Sequence, residues 1–180
     1  MNAKKDLYGP TVAWFLAPVV LVSCTNEKKA NIITIAWTGV VCSKPPLISI
    51  SIRPSRFSYE LISSSREFVI NIPTLEQLKE TNFCGSKSGK DTDKWTACGF
   101  TPEKGIKVSA PLIKECPVNI ECKVVKTLGD IGTHTIFIGE VLEVHVNSQI
   151  APNTVLDITP LCYSPKLGIF GKALALSEEI

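Results

Sequence analysis

The sequence predicts a mainly β protein, a barrel of short strands carrying a few short helices. Three observations point there. Leu47–Arg53 alternates strictly, with Ile48, Ile50 and Ile52 on one side and Ser49, Ser51 and Arg53 on the other. Thr135–Asn147 repeats the pattern, with Leu142, Val144 and Val146 opposed to Glu143, His145 and Asn147. The strand-like runs are also short, and turn residues such as Asn26-Glu27-Lys28-Lys29 and Pro45-Pro46 part them.

In chain order, the first strand is Val19–Thr25, closed by the polar turn that follows. Ile32–Trp37 is the second, rich in β-branched residues that suit a pleated, half-buried surface. Leu47–Arg53 then runs from the Pro45-Pro46 break to a stop at Pro54, and Ser55 or Ser58 can cap a short helix through Ile62. Phe68–Ile72 is the next strand. Thr74-Leu75-Glu76-Gln77 has the capping-box spacing and predicts a helix to about Asn82. Asn82–Asp93 reads as a polar loop containing Gly85 and Gly89. Asp91 can cap a short helix through Trp95, stopped near Gly99. Ile120–Lys126 and Thr135–Asn147 complete the strands, and Ser164–Ile180 reads as an irregular arm or short edge strand. No linker divides the chain, so residues 1–180 are expected to form one domain.

Bulk properties exclude several classes. A formal net charge of +2, with no block of like charge, gives no field for nucleic acid or an anionic membrane. Seven cysteines, an odd number with no C-x-x-C spacing, suit neither a disulfide framework nor a zinc site. They read as reduced, buried small hydrophobes in a cytoplasmic protein; an iron–sulfur site would need them to converge in the fold. Leu21-Val22-Ser23-Cys24 has the look of a lipoprotein cleavage box, but Asp6, Gly9, Pro10 and Pro18 interrupt the segment before it. The competing reading is a first strand. The apolar run Thr11–Cys24 is shorter than the roughly 20 residues a spanning helix needs.

No catalytic constellation stands out. The two histidines, His134 and His145, form no metal-binding cluster, and alternation sets them on opposite strand faces. Gly85-Ser86-Lys87-Ser88-Gly89 has Lys where a nucleophile elbow needs Ser, and its glycines miss the Walker A spacing. It is still rich in donors, and reads either as a phosphate cradle or as a solvated loop. The corner Ser51-Ile52-Arg53-Pro54-Ser55-Arg56-Phe57-Ser58 is the better phosphate candidate. Arg offers paired donors to phosphate oxygens, and a helix start favours an anion. The competing reading is a basic surface turn. Trp37 can cover a planar ligand or plug the barrel.

Asn31-x-x-Thr34-x-Ala36-Trp37, then Ser43-x-Pro45-Pro46-x-x-Ser49, then Arg53–Ser58 and Phe68-Val69-Ile70-Asn71 occur in an order that resembles the flavin-reductase-like, FMN-binding split-barrel family. Asn82–Gly89 followed by Asp93-Lys94-Trp95 is similar to the flavoredoxin subgroup, as are Ala110–Ile113, Cys116–Asn119 and Phe137–Val141. The likeness covers roughly residues 10–165. It implies a six-stranded antiparallel Greek-key split barrel and a cytoplasmic homodimer with FMN near the interface.

The resemblance also implies a site. Asn31, Thr34, Ala36, Trp37 and Thr38 would line the isoalloxazine ring and ribityl chain. Ser51, Ile52, Arg53, Phe57 and Ser58 would hold ribityl and phosphate oxygens. Asn82, Gly85, Ser86, Lys87 and Lys94 would close over the flavin. No residue of the chain is expected to act as a catalytic acid or base, and no metal is expected, because hydride transfer between stacked rings asks the protein mainly for orientation. The implied activity passes electrons from NAD(P)H through FMN to free flavin, ferric iron or a protein. A flavoprotein carrier fed by a protein such as ferredoxin, and a non-redox binding module, are the competing readings.

Overall fold

The computed structural model describes residues 6–13, 15–148, 161–164 and 169–172. Its strands and helices follow in chain order. They are β1 (Ala17–Pro18), β2 (Val20–Thr25), β3 (Ala30–Ile35), β4 (Thr38–Ser43), β5 (Pro46–Ile52), α1 (Phe57–Ser65) and β6 (Glu67–Ile72). A 3-10 turn (Leu75–Gln77) leads into α2 (Leu78–Ser86), then α3 (Lys94–Cys98), β7 (Pro102–Glu103) and β8 (Leu112–Ile113). The long strands β9 (Val118–Leu128) and β10 (Thr135–Val146) precede β11 (Leu161–Ser164) and β12 (Ile169–Lys172).

Seven strands make the main antiparallel sheet, in the order β3-β2-β6-β9-β10-β5-β4. The two edge strands, β3 and β4, are consecutive in the chain, and only Ala36 and Trp37 separate them. Three peptide links span at most about 11 Å. The sheet must therefore curl until its edges nearly meet, yet those edges are not hydrogen-bonded to each other. The result is a barrel left open along one seam, a split barrel with seven strands where six were expected. A three-stranded sheet, β1-β11-β12, and the small pair β7-β8 flank it.

The interior is built from the alternating faces. Ile50 and Ile52 are buried with Val22, Cys24, Phe68, Ile70, Cys122 and Phe137 in one cluster, to which α1 adds Leu61 and Ile62. Each such side chain contributes roughly 1.5–3 kcal/mol by leaving water. Asn71, on the other face of β6 from Phe68 and Ile70, is buried and satisfied: its Nδ2 donates to Leu21 O and Ser23 Oγ, both at 3.0 Å, and its Oδ1 accepts from Ile113 N and Asn119 Nδ2. That amide pins β8 against the sheet. Cys24 is fully buried in a sheet strand, so the Leu21–Cys24 segment takes the strand reading.

Several elements differ from the sequence reading. The helix expected after Pro54 is capped by neither Ser55 nor Ser58. Its N-cap is Arg56, with no side-chain bond, because Ser58 lies inside the first turn and accepts from Asn31 Nδ2 at 2.8 Å. Asn82–Ser86 is the last turn of α2 rather than loop, since Thr81 and Cys84 are buried there. Asp93, not Asp91, caps α3, accepting from the N–H groups of Trp95 and Thr96. Thr38–Ser43 is a strand where none was expected, its residues largely exposed along an edge. In β10 a register shift between Val141 and Glu143 reverses the expected faces: Val144 and Val146 are exposed, while His145 turns in to Glu121 at 2.6 Å. Of the expected tail, Ser164 and Ile169–Lys172 lie in a hairpin of β11 with β12, and the rest falls outside the described residues.

Candidate functional site

The open seam leaves a cavity of about 430 Å³ where the β3–β4 link passes the end of β5 and the last turn of α2. A smaller one of about 130 Å³ lies at the start of α1. The two share Ile33, Arg56 and Gly85, so they are neighbouring compartments. Their combined scale suits a mononucleotide-sized ligand.

The larger cavity is the apolar and aromatic end. From β3 it takes Thr34, and from the β3–β4 link Ala36 and Trp37; from β5 and its end, Ser51, Ile52 and Arg53; from α2, Asn82, Gly85 and Ser86. Trp37 packs on His134 with ring centroids 4.1 Å apart and ring planes tilted by 36°. Arg53 Nε donates to His134 Nε2 at 3.3 Å, and the other ring nitrogen meets Thr133 Oγ1. Burial first, then the Arg53 and Arg56 guanidiniums, push His134 below its ordinary value. The ring is neutral at physiological pH, which is the state that can accept from Arg53. Thr34 Oγ1 donates to Thr81 O, tying β3 to α2. A Cβ at Gly85 would come within 3.2 Å of Thr34 Cβ, so glycine permits that close approach.

The smaller cavity is polar and positive. Asn31, Phe57, Ser58, Lys87 and Lys94 line it with Ser55, Arg56, Ser88 and Gly89. Lys94 is buried, and its Nζ donates to Ile32 O and Cys84 O at 2.7 Å each. An ammonium has three hydrogens, so one remains for a ligand. Burial pulls Lys94 below its ordinary value. An anion in the cavity would offset that burial. Because no side chain caps α1, the backbone N–H groups of Phe57 and Ser58 can donate there too, whereas that of Tyr59 goes to Arg56 O. Gly89 packs on Asn31, and a Cβ would overlap that amide.

Fourteen of the fifteen residues expected from sequence line one cavity or the other. Thr38 lines neither, because its hydroxyl donates to Ser49 O across the β4–β5 hairpin at 2.8 Å. Sequence reasoning left out Tyr163 and Phe170, which line the larger cavity from the β11–β12 hairpin with ring centroids 5.3 Å apart. Their segments carry no local signal, since only the hairpin brings them to the seam. His134 and Arg56 were noticed but given no firm role. Among the described residues no cluster of His, Cys, Asp or Glu could hold a metal, and no helix is long and apolar enough to cross a membrane.

A mononucleotide flavin fits this arrangement. The aromatic, half-apolar compartment matches a ring system, and the Arg, Lys and Ser compartment matches a phosphate. Comparison with known proteins identifies the family of the chain. The sequence profile described as the flavin reductase like domain matches residues 12–166. The solved structure of flavoredoxin from Desulfovibrio vulgaris (Miyazaki F) superposes with a TM-score of 0.90 at 27% identity, covering 98% of this chain and 97% of that one. A protein of Archaeoglobus fulgidus is 38% identical over 120 residues, 67% of each chain. A ferric-chelate reductase (NAD(P)H) from the same organism is 30% identical over 105 residues, 58% of this chain and 60% of its own.

Proposed function

The chain belongs to the flavin reductase-like family, and from that premise we propose that it is an FMN-dependent oxidoreductase. It takes electrons from NAD(P)H and passes them to free flavin, ferric iron or a protein acceptor. The observation that carries the reading is the joined pair of compartments, aromatic at the seam and cationic at the start of α1. FMN would supply the hydride and electron chemistry when bound. The chain's own part is to hold and shield. Arg56, Ser55, Ser58, Lys87 and Lys94 would take the phosphate, Ser51 and Arg53 the ribityl end, and Thr34–Trp37 with Asn82, Gly85 and Ser86 the ring. The neutral His134, packed at a tilt on Trp37, would wall the ring without adding charge beside it.

We also propose a cytoplasmic homodimer with FMN near the interface. Free thiols at all seven cysteines suit a reducing compartment. The exposed edge strand β4 presents Val40, 81% accessible, and Val41 beside Trp37. An apolar edge next to the cavity is what a second subunit would cover.

The direct test is a titration of the purified protein with FMN, followed by quenching of flavin fluorescence. One FMN per chain, bound at low micromolar concentration or tighter, is expected. No saturable binding would defeat the reading. The flavoredoxin likeness supports a second reading, a flavoprotein carrier loaded by a protein donor; it predicts the same binding but no reaction with NAD(P)H.

A further inference from the structure

Two thiols that flavin chemistry does not require sit against the wall of the smaller cavity. Cys84, in the last turn of α2, is fully buried and lines that cavity. Cys98 ends α3 and is half-buried, and its Sγ lies 3.7 Å from Cys84 Sγ. They lie 14 positions apart in sequence, so only the packing of α2 on α3 makes the pair. The sulfurs need to close by about 1.7 Å to reach bonding distance. The same turn of α2 builds the site. Cys84 O accepts from Lys94 Nζ, and the next residue, Gly85, packs on Thr34 and lines both compartments.

We propose that Cys84 and Cys98 form a reversible disulfide site, closed by a peroxide, and that closure loosens the phosphate end of the cavity. The second half rests on the FMN reading above, and the first half does not.

The chemistry balances with hydrogen peroxide as oxidant. The Cys98 thiolate attacks one peroxide oxygen, the O–O bond breaks, and hydroxide leaves and takes up the thiol's proton as water. The Cys84 thiolate then attacks the resulting sulfenic sulfur. The S–S bond forms, the S–O bond breaks and a second water leaves. Two thiols lose two electrons, and the peroxide gains them. Cys98 is the entry point because it is the accessible partner. Burial raises both thiols, and Cys98 further raises Cys84. Of the charged groups around the pair, Lys94 of α3 lowers both thiols and Glu80 of α2 raises Cys98. The reaction therefore runs through a small thiolate fraction at neutral pH and calls for excess peroxide. Bond formation shifts the Cys84 turn against α3, the helix that carries both Cys98 and Lys94, and so disturbs the contact that Cys84 O makes with Lys94 Nζ.

The test treats the full chain, free of FMN, with hydrogen peroxide, blocks the remaining thiols and maps peptides by mass spectrometry. FMN affinity is measured before treatment, after it, and after dithiothreitol. A mass loss of about 2 Da and a peptide joining Cys84 to Cys98 are expected. FMN should bind roughly tenfold more weakly, about what one charge-assisted hydrogen bond contributes, and dithiothreitol should restore it. Cys98→Ser should bind FMN normally and ignore peroxide. No crosslink, a crosslink to Cys116 instead, or oxidation stopping at sulfinic acid on Cys98 would overturn the site. A Cys84–Cys98 crosslink with unchanged FMN affinity would overturn the coupling. If the reduced protein binds no FMN at all, the cofactor reading fails while the disulfide is still judged by mass alone.

Discussion

At the scale of single residues, the proposed ribityl and phosphate contacts turn on a few cations. Arg53 is exposed, and its side chain donates to His134, so removing it should leave the barrel intact. Arg53→Ala is expected to weaken FMN by about 2 kcal/mol, roughly thirtyfold, with unchanged melting temperature. An unaltered dissociation constant would remove Arg53 from the site. Lys94 makes a different prediction because burial holds it below the ordinary lysine value of 10.5. Its positive charge is present below that lowered pKa and lost above it. FMN affinity should hold near neutral pH and then fall in alkali before an ordinary lysine would titrate. Lys94→Met should bind weakly throughout and lack that fall; a drop of equal size in the variant would mean another group is titrating. The types of these residues could be read from sequence. Lys94's burial could not, because it depends on β3 and α2 supplying carbonyls from residues 62 and 10 positions away.

Among the elements, Glu121 of β9 does the work that a local motif would not suggest. Its carboxylate is fully buried and accepts from the backbone N–H groups of Ile106, Lys107 and Val108, and it meets His145 of β10. It thus fastens the 105–108 loop to the sheet. Burial pushes this carboxyl up, but the three N–H bonds and His145 outweigh it and hold the group below its ordinary 4.5. A depressed folded value means the contribution is complete above the unfolded value and is lost as pH falls through the folded one. Glu121→Gln is therefore expected to cost about 2–3 kcal/mol near neutral pH, since an amide nitrogen would face backbone donors. The gap to the parent, measured by denaturant unfolding, should narrow as pH drops below about 4.5. A gap constant with pH would contradict the ionised clamp. Sequence alternation misplaced His145 here because the bulge in β10 inverts the strand's faces. The helix caps were misplaced for a similar reason. Ser58 was drawn inward to Asn31, which left Arg56 at the cap, and a tertiary contact outweighed a local preference. The alternating strand β5 was legible because Ile50 and Ile52 are buried in the core while Ser49 and Ser51, before and between them, stay partly exposed.

For the whole molecule, the split barrel follows from one topological fact: consecutive strands β3 and β4 stand at opposite ends of the sheet order with two residues between them. Order and curl together open the seam that holds the cavity. The barrel class was legible in alternating strands. The seventh strand was not, because β4 is an exposed edge without a clean pattern. The aromatic pair of the β11–β12 hairpin was equally hidden, since it reaches the cavity only through long-range pairing. If β4 is a dimer edge, the protein should sediment at twice its 19.6 kDa chain mass. Val40→Lys should then shift it toward monomer and weaken FMN with it; a Val40→Lys protein that stays dimeric would place the contact elsewhere. The central claim concerns redox chemistry at the seam. It is tested most directly by the visible spectrum of the FMN-loaded protein under anaerobic conditions, before and after NADH or NADPH. Bleaching of a bound flavin band by either nucleotide is the predicted result. A bound flavin that ignores both but bleaches with dithionite would contradict NAD(P)H oxidation and favour the carrier, and a protein that takes up no FMN would contradict the account at its root.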